Sequence, residues 1–269
     1  MGSLAALEAR LAELTSLLVA FSGGADSAFL LAAAVHVLGA DNVVAATAVS
    51  ASLPATELAG ARRFATDLGV RHMTPSTDEM ARDGYRANGS DRCFFCKAEL
   101  LDVLAPLADS MGLAHVATGT NADDAVAGFR PGIRAAAERG AVTPLLDAGL
   151  TKAEIRELSR AWGLTTWDKP AAACLSSRIA YGIEVSPYRL DRVERAEAAL
   201  RAAMVAAGLP VGNLRVRDLG DVARVEVDPE WVDRLTSRRD LLSSVSGFSA
   251  VEVDPRGFRS GSMNEALAK

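Results

Sequence analysis

The stretch beginning at Leu17 constrains this chain more than any other. Leu17 to Phe21 reads as an apolar strand, which turns through Ser22-Gly23-Gly24-Ala25-Asp26-Ser27 into an apolar helical run. A strand, a glycine-rich turn and a helix in that order present backbone N–H groups at a helix N-terminus, where hydrogen bonds and the helix dipole both favour an anion. Glycines let the backbone approach a phosphate closely. No Gly-Lys-Ser or Gly-Lys-Thr ending follows, so this is not the loop that hydrolyses a terminal phosphate bond. Asp26 is out of place in a bare anion pocket, but a carboxylate beside a polyphosphate makes sense if the two share a Mg²⁺ ion. The structural alternative is a Gly-Gly turn with Asp26 and Ser27 as helix caps.

The rest of the chain repeats the alternation. Leu4, Leu7, Leu11, Leu14 and Leu18 mark one face of an opening helix. Val43 to Val49 predicts a strand, Pro54 to Leu68 a helix, Val70 to Thr74 a third strand, Phe94 to Met111 a helix, and Ala114 to Thr118 a strand ending in Gly119-Thr120-Asn121. Thr151 with Glu154 predicts a capping box for a helix closing at Gly163. Strands alternating with helices imply an α/β fold with a doubly wound, mostly parallel sheet. From about Pro187 the pattern becomes helix, strand (Leu214 to Asp218), strand (Val222 to Asp228), helix, strand (Ala250 to Val253), a second, smaller α+β domain. We therefore divide the 269 residues into a domain of 1–180 and one of 181–269.

Three cysteines are too few, and too odd in number, for a disulfide framework. Cys93 and Cys96 form a CxxC before a helix, and Cys174 follows 78 residues after Cys96. A structural zinc site would need a fourth ligand, and His36, His72 and His115 all fall inside predicted helix or strand, as packed or surface residues. A thioredoxin-like redox CxxC lacks that fold's pattern. Three thiolates suit a 4Fe–4S cluster with one open iron. Trp162 and Trp167 flank the segment leading to Cys174, as expected core residues.

Ser-Gly-Gly-x-Asp-Ser after a strand resembles the PP-loop of the ATP pyrophosphatases, an adenine nucleotide alpha hydrolase-like fold. Gly119 to Asp124 lies where ligands bind in open α/β sheets, at the C-terminal end of a strand. Taken with Arg92 to Lys97, the Cys174-Leu175-Ser176-Ser177-Arg178-Ile179 block ending at Tyr181-Gly182, and Arg259 to Asn264, these motifs resemble the LarE family over nearly the whole chain. Glu8 and Glu13 interrupt anything like a signal-peptide apolar region, so a cytoplasmic chain is expected, and the resemblance implies a homo-oligomeric sulfurtransferase. Such an enzyme adenylates carboxylates of a pyridinium biscarboxylic acid mononucleotide with ATP and converts them to thiocarboxylates, for nickel-pincer cofactor biosynthesis.

The family uses two sulfur strategies. In one, the cysteine matching Cys174 gives up its own sulfur. In the other, cysteines matching Cys93, Cys96 and Cys174 hold a 4Fe–4S cluster that carries sulfide from an external source. The presence of all three favours the second.

The resemblance assigns Ser22, Gly23, Gly24, Asp26, Ser27, Gly119, Asn121 and Asp124 to ATP and its Mg²⁺, the latter at Asp26. Cys174, Arg178 and Glu197 become catalytic candidates; for Glu197 the alternative is an exposed helix residue. Arg215 and Arg217, two apart on one strand face, join Glu226 and Arg259 as candidates for the substrate's phosphate and carboxylates, because arginine forks suit phosphate. A solvated strand face is the alternative for the first two.

Charge and composition narrow the rivals. A net charge of −5 argues against a general grip on nucleic acid or an anionic membrane, and so against tRNA thiolation. The most apolar run, Ala28 to Val35, is far too short to span a bilayer. An amidating synthetase keeps the adenylation and changes the nucleophile. A non-enzymatic nucleotide or Fe–S sensor would not turn ATP over.

Overall fold

The computed structural model describes residues 3–126, 130–170 and 173–268, which divide into two units. The first comprises residues up to Arg82 and Asp91–Ala172, and the second comprises Asp83–Ser90 and the chain from Ala173. The division thus lies eight residues before the expected 180/181 boundary, and the internal segment Asp83–Ser90 also belongs to the second unit.

In chain order the first unit carries α1 (Leu4–Leu14), β1 (Leu17–Ala20), α2 (Ala25–Leu38), β2 (Val43–Ala46), α3 (Ala55–Asp67) and β3 (Arg71–Met73). The short α4 (Asp83–Arg86) is part of the second unit. The first resumes with α5 (Arg92–Ser110), β4 (His115–Thr118), α6 (Ala122–Val126), α7 (Pro131–Glu138), α8 (Pro144–Asp147) and α9 (Lys152–Ala161). Its sheet is wholly parallel with strand order β3-β2-β1-β4.

Because side chains alternate across a strand, β1 feeds two cores. Leu17 and Val19 pack with Leu7, Leu11, Phe29 and Phe64 on one face, while Leu18 and Ala20 pack with Leu104 and Ala108 of α5 on the other. A strand buried on both faces needs the continuous apolar run that Leu17–Ala20 supplies. This is the expected doubly wound α/β architecture.

Most expected elements form within two residues of their predicted ends. The strand expected to reach Val49 instead stops at Ala46, because Thr47 turns its hydroxyl onto the Phe21 carbonyl at 2.7 Å and Val49 keeps only an isolated bridge to Ser76. Thr151 and Glu154 form the expected capping box at the start of α9.

The second unit holds α10 (Pro187–Ala206), β5 (Leu214–Asp218), β6 (Val222–Val227), α11 (Val232–Thr236), α12 (Arg239–Leu242) and β7 (Ala250–Val253). β5 pairs antiparallel with β6, and β6 pairs parallel with β7. Ala196, Leu200 and Met204 of α10 cover Leu214, Val216, Ala223 and Val225 of this small mixed sheet. Segment 83–90 is anchored here by Asn88, whose buried Nδ2 donates to the carbonyls of Ala180 at 2.9 Å and Ile183 at 2.8 Å. The single helix expected after Asp228 is instead a 3₁₀ turn, Pro229–Trp231, followed by the two short helices α11 and α12.

Candidate active site

In the first unit the turn between β1 and α2 closes on itself. Ser27 Oγ donates to the Gly24 carbonyl at 3.1 Å and so accepts from Ser22 Oγ at 3.0 Å. Gly23 has φ +72° and lies against Ala61 of α3, where an added Cβ would stand 3.4 Å from the alanine Cβ. The positive φ is what demands glycine here. Gly119, at the end of β4, is equally constrained, since a Cβ there would meet Ser27 N at 2.9 Å. Two motifs almost a hundred residues apart in sequence are thereby brought into backbone contact at the C-terminal edge of the sheet.

Asp26 lies in the first turn of α2. Burial pushes its carboxyl above the usual carboxylate range, Lys152 opposes this, and Asp124 adds to it. Asn121 and Asp124 bracket the start of α6, with Asp124 N donating to Asn121 Oδ1 at 3.1 Å. Lys152 Nζ reaches Asp124 Oδ1 at 2.9 Å. Asn121 stands close enough to favour the charged form of Asp26, yet its buried Nδ2 completes no hydrogen bond. Asp26 and Asp124 offer the oxygen donors that Mg²⁺ takes, and a divalent cation would relieve the cost of a buried carboxylate facing another anion.

Cys93 and Cys96 occupy the first turns of α5, one helical turn apart. Cys93 is exposed, and Cys96 is half-buried with Sγ 3.9 Å from Glu79 Oε1. Glu79 is 6% exposed and accepts also from Ser50, Ser52 and Thr77 hydroxyls. Lys97 lies within electrostatic reach of Cys96, Cys93 and Asp124, and burial pushes its ammonium below the usual lysine range against their pull. The CxxC turn and the Asn121–Asp124 segment are therefore neighbours. The Phe94 ring between the cysteines lies under the Arg134 guanidinium, 4.5 Å from the centroid.

In the second unit Cys174 precedes a 3₁₀ turn, Leu175–Arg178. Arg178, 3% exposed, grips Glu197 through Nε to Oε1 at 3.0 Å and Nη2 to Oε2 at 3.2 Å, and donates to the carbonyls of Ala173 and Cys174. Glu197 Oε1 also accepts from Val216 N at 3.0 Å, so it is a buried anchor rather than an exposed helix residue. Arg217, 5% exposed, donates to Glu226 Oε2 at 2.6 Å and Ser262 Oγ at 3.1 Å, and Ser262 returns a bond to Glu226 Oε1 at 2.7 Å.

Arg215 differs from its neighbour. It donates only to the Leu214 carbonyl and, among the described residues, has no carboxylate partner. Burial holds its guanidinium below the ordinary arginine range, and Arg178, Arg217 and Arg201 push it the same way against Glu197. A half-buried cation among cations suits an anion, and neither Arg215 nor Arg217 lies on a solvated face. Arg259 is already paired, with Glu265 at 3.1 Å and Asp254 at 3.5 Å.

None of the three cysteines is in a disulfide, and thiols are the ligands that iron–sulfur clusters take. Among the described residues no three His, Cys, Asp or Glu side chains stand together ready to hold a metal ion. Two of the three histidines have other partners: His72 Nε2 bonds Thr47 Oγ1 at 2.8 Å, and the rings of Trp162 and His36 are 5.4 Å apart. Trp162 packs against Phe29 as expected, but Trp167 is not core: it is 38% exposed under the Arg160 guanidinium. Sequence reasoning missed Lys97, Lys152, Lys169, Glu57 and Glu79. Only Lys97, adjoining the CxxC, carried a local signal.

No protein-family model matches the chain. It is 35% identical over 98% of its length to the pyridinium-3,5-bisthiocarboxylic acid mononucleotide synthase of Lactiplantibacillus plantarum, 95% of which is covered. The chain belongs to the LarE family. An uncharacterized Synechocystis protein is 43% identical to this LarE-family chain over 96% of its length, covering 95% of that protein. An uncharacterized Methanocaldococcus jannaschii protein is 26% identical over 64% of the chain, covering 66% of the archaeal protein. No helix among the described residues of this LarE-family chain is long and apolar enough to cross a membrane.

Proposed function

We propose that this protein is an ATP-dependent sulfurtransferase that converts carboxylates of pyridinium biscarboxylic acid mononucleotide to thiocarboxylates, in nickel-pincer cofactor biosynthesis. The observation that carries this reading is the end-to-end similarity to a synthase named for the bisthiocarboxylic product. A carboxylate is a poor electrophile because its oxygen leaves badly. Attack of that oxygen on the α-phosphorus of ATP releases pyrophosphate and gives an acyl-adenylate, from which AMP leaves when sulfur attacks the acyl carbon.

In this reading Ser22, Gly23, Gly24, Ser27 and Gly119 cradle the phosphates with backbone N–H groups and hydroxyls. Asp26, with Asp124, would hold Mg²⁺, whose charge would offset that of the pyrophosphate. Asn121 lends its unspent Nδ2 to the nucleotide. Arg215 takes the substrate's phosphate. Glu226 and Ser262 orient Arg217 for the same anion, and Arg259 completes the pocket. Arg178, fixed by Glu197, holds the backbone at Cys174. A 4Fe–4S cluster held by Cys93, Cys96 and Cys174 would supply sulfide from an external source at its open iron. We take the enzyme to be a cytoplasmic homo-oligomer.

A second reading keeps the adenylation and takes the sulfur from Cys174 itself, leaving dehydroalanine. The grip of Arg178 on the Cys174 carbonyl, fixing that one cysteine's backbone, favours it. The test is anaerobic incubation with Mg-ATP, the mononucleotide and sulfide. AMP, pyrophosphate and exchange of oxygen for sulfur in the product's mass are expected over repeated turnovers. ADP and phosphate as the products would overturn the reading. A single turnover with loss of hydrogen sulfide from Cys174 would select the second.

A further inference from the structure

We propose that Lys169 binds the pyrophosphate end of the nucleotide and balances its charge as it leaves; this rests on the ATP reading above. Lys169 lies 146 residues from the loop in sequence, yet its Nζ donates to the Gly23 carbonyl at 2.9 Å. The same ammonium donates to Glu57 Oε2 at 2.7 Å. Glu57 sits in the first turn of α3, the helix whose Ala61 backs onto Gly23. An ammonium carries three N–H donors, of which these contacts occupy two. Among the described residues the third has no partner and can serve an incoming oxygen, and the pair is partly exposed to solvent.

The charge arrangement points the same way. With Asp26 in the loop and Glu57 beside Lys169, the Lys169 ammonium joins Lys152 in offsetting carboxylate charge that opposes a polyphosphate. A second, independent feature marks the spot as a ligand site: the buried Asn121 Nδ2 faces Asp26 with its hydrogen-bonding capacity unspent. When the polyphosphate occupies the loop, the third N–H of Lys169, and with a small rotation the one now given to Glu57, turns to a phosphoryl oxygen. The contact with the Gly23 carbonyl keeps the ammonium in place.

In the adenylation the substrate carboxylate oxygen bonds to the α-phosphorus, and the bond from that phosphorus to the bridging oxygen breaks. The electron pair stays on the bridging oxygen. The pyrophosphate therefore gains a negative charge beside Lys169, where a fixed cation favours the charge-separated state.

Titration calorimetry of the full-length protein with Mg-ATP, Mg-pyrophosphate and AMP tests this. Lys169→Gln should weaken Mg-ATP and Mg-pyrophosphate by about tenfold or more, while AMP changes less than about twofold. Lys169→Arg, which keeps the charge, should recover most of the loss and replaces the Gln variant should that one melt early. A parallel loss of AMP affinity would show that Lys169 merely braces the loop and would overturn the proposal, as would unchanged pyrophosphate binding. Wild-type protein that binds neither ATP nor pyrophosphate would bring down the ATP reading itself, a failure visible before any variant is made.

Discussion

Arg178 holds both carboxylate oxygens of Glu197, and the same guanidinium donates to the Cys174 carbonyl at 2.9 Å. The buried pair thus supports the backbone of the cysteine on which both sulfur mechanisms depend. Removing one partner strands a buried charge, which typically costs about 3–5 kcal/mol. Arg178→Ala should therefore lower the stability of the second unit by about 3 kcal/mol in urea denaturation. A change under about 1 kcal/mol would show that the pair is not structural.

Asp26 offers a test in which stability and function move oppositely. Its carboxyl is raised by burial, so the folded protein favours the protonated form more than the unfolded chain does. The ionised group is accordingly a destabilising element. Its cost is absent below the ordinary aspartate range and grows as pH rises through the raised folded value. Asp26→Asn should raise the melting temperature at neutral pH, leave it unchanged in acid, and abolish formation of pyrophosphate from ATP. Melting curves across pH, alongside a pyrophosphate assay, check both arms.

Gly119→Ala should damage the loop without touching its chemistry. The new Cβ would lie 2.9 Å from Ser27 N, and neither backbone can yield cheaply. A loss of about 1–3 kcal/mol is expected, with weaker ATP binding measured on protein that still folds.

Arg215 and Arg217 should separate binding from stability. Arg215→Ala removes a cation that has no carboxylate partner among the described residues, so stability should hold or rise while mononucleotide binding weakens by about 1.5–3 kcal/mol. Arg217→Ala leaves Glu226 buried and should destabilise the fold as well. Calorimetry with the substrate and thermal melts of both variants distinguish them.

The cluster reading makes a joint demand on three residues. Anaerobic reconstitution should give about four irons per chain and a brown chromophore, and Ala at Cys93, Cys96 or Cys174 should each abolish both. Full iron loading by the Cys174→Ala protein would remove that residue from the ligand set.

Much of this protein was legible locally. β1 could be read from Leu17–Ala20 because burial on both faces demands an unbroken apolar run, and the capping box of α9 because Thr151 and Glu154 satisfy each other within one turn. The glycine-rich turn after β1 and the CxxC at the start of α5 were legible for the same reason: each is carried by residues within six positions of each other.

Tertiary structure alone decided the rest. The hairpin register of β5 with β6 sets Arg215 opposite Glu226 and Arg217 opposite Arg224, yet Glu226 takes its hydrogen bond diagonally from Arg217, so two arginines alike in sequence end with different partners among the described residues. Asn88 drew residues 83–90 into the second unit through carbonyls more than ninety residues away. Lys169 reached Gly23 only because the chain returned to the sheet edge after 146 residues. Such contacts form where packed helices and strands bring distant backbone together. Local propensity and spacing act within a turn or a strand and carry no record of which remote partner will arrive.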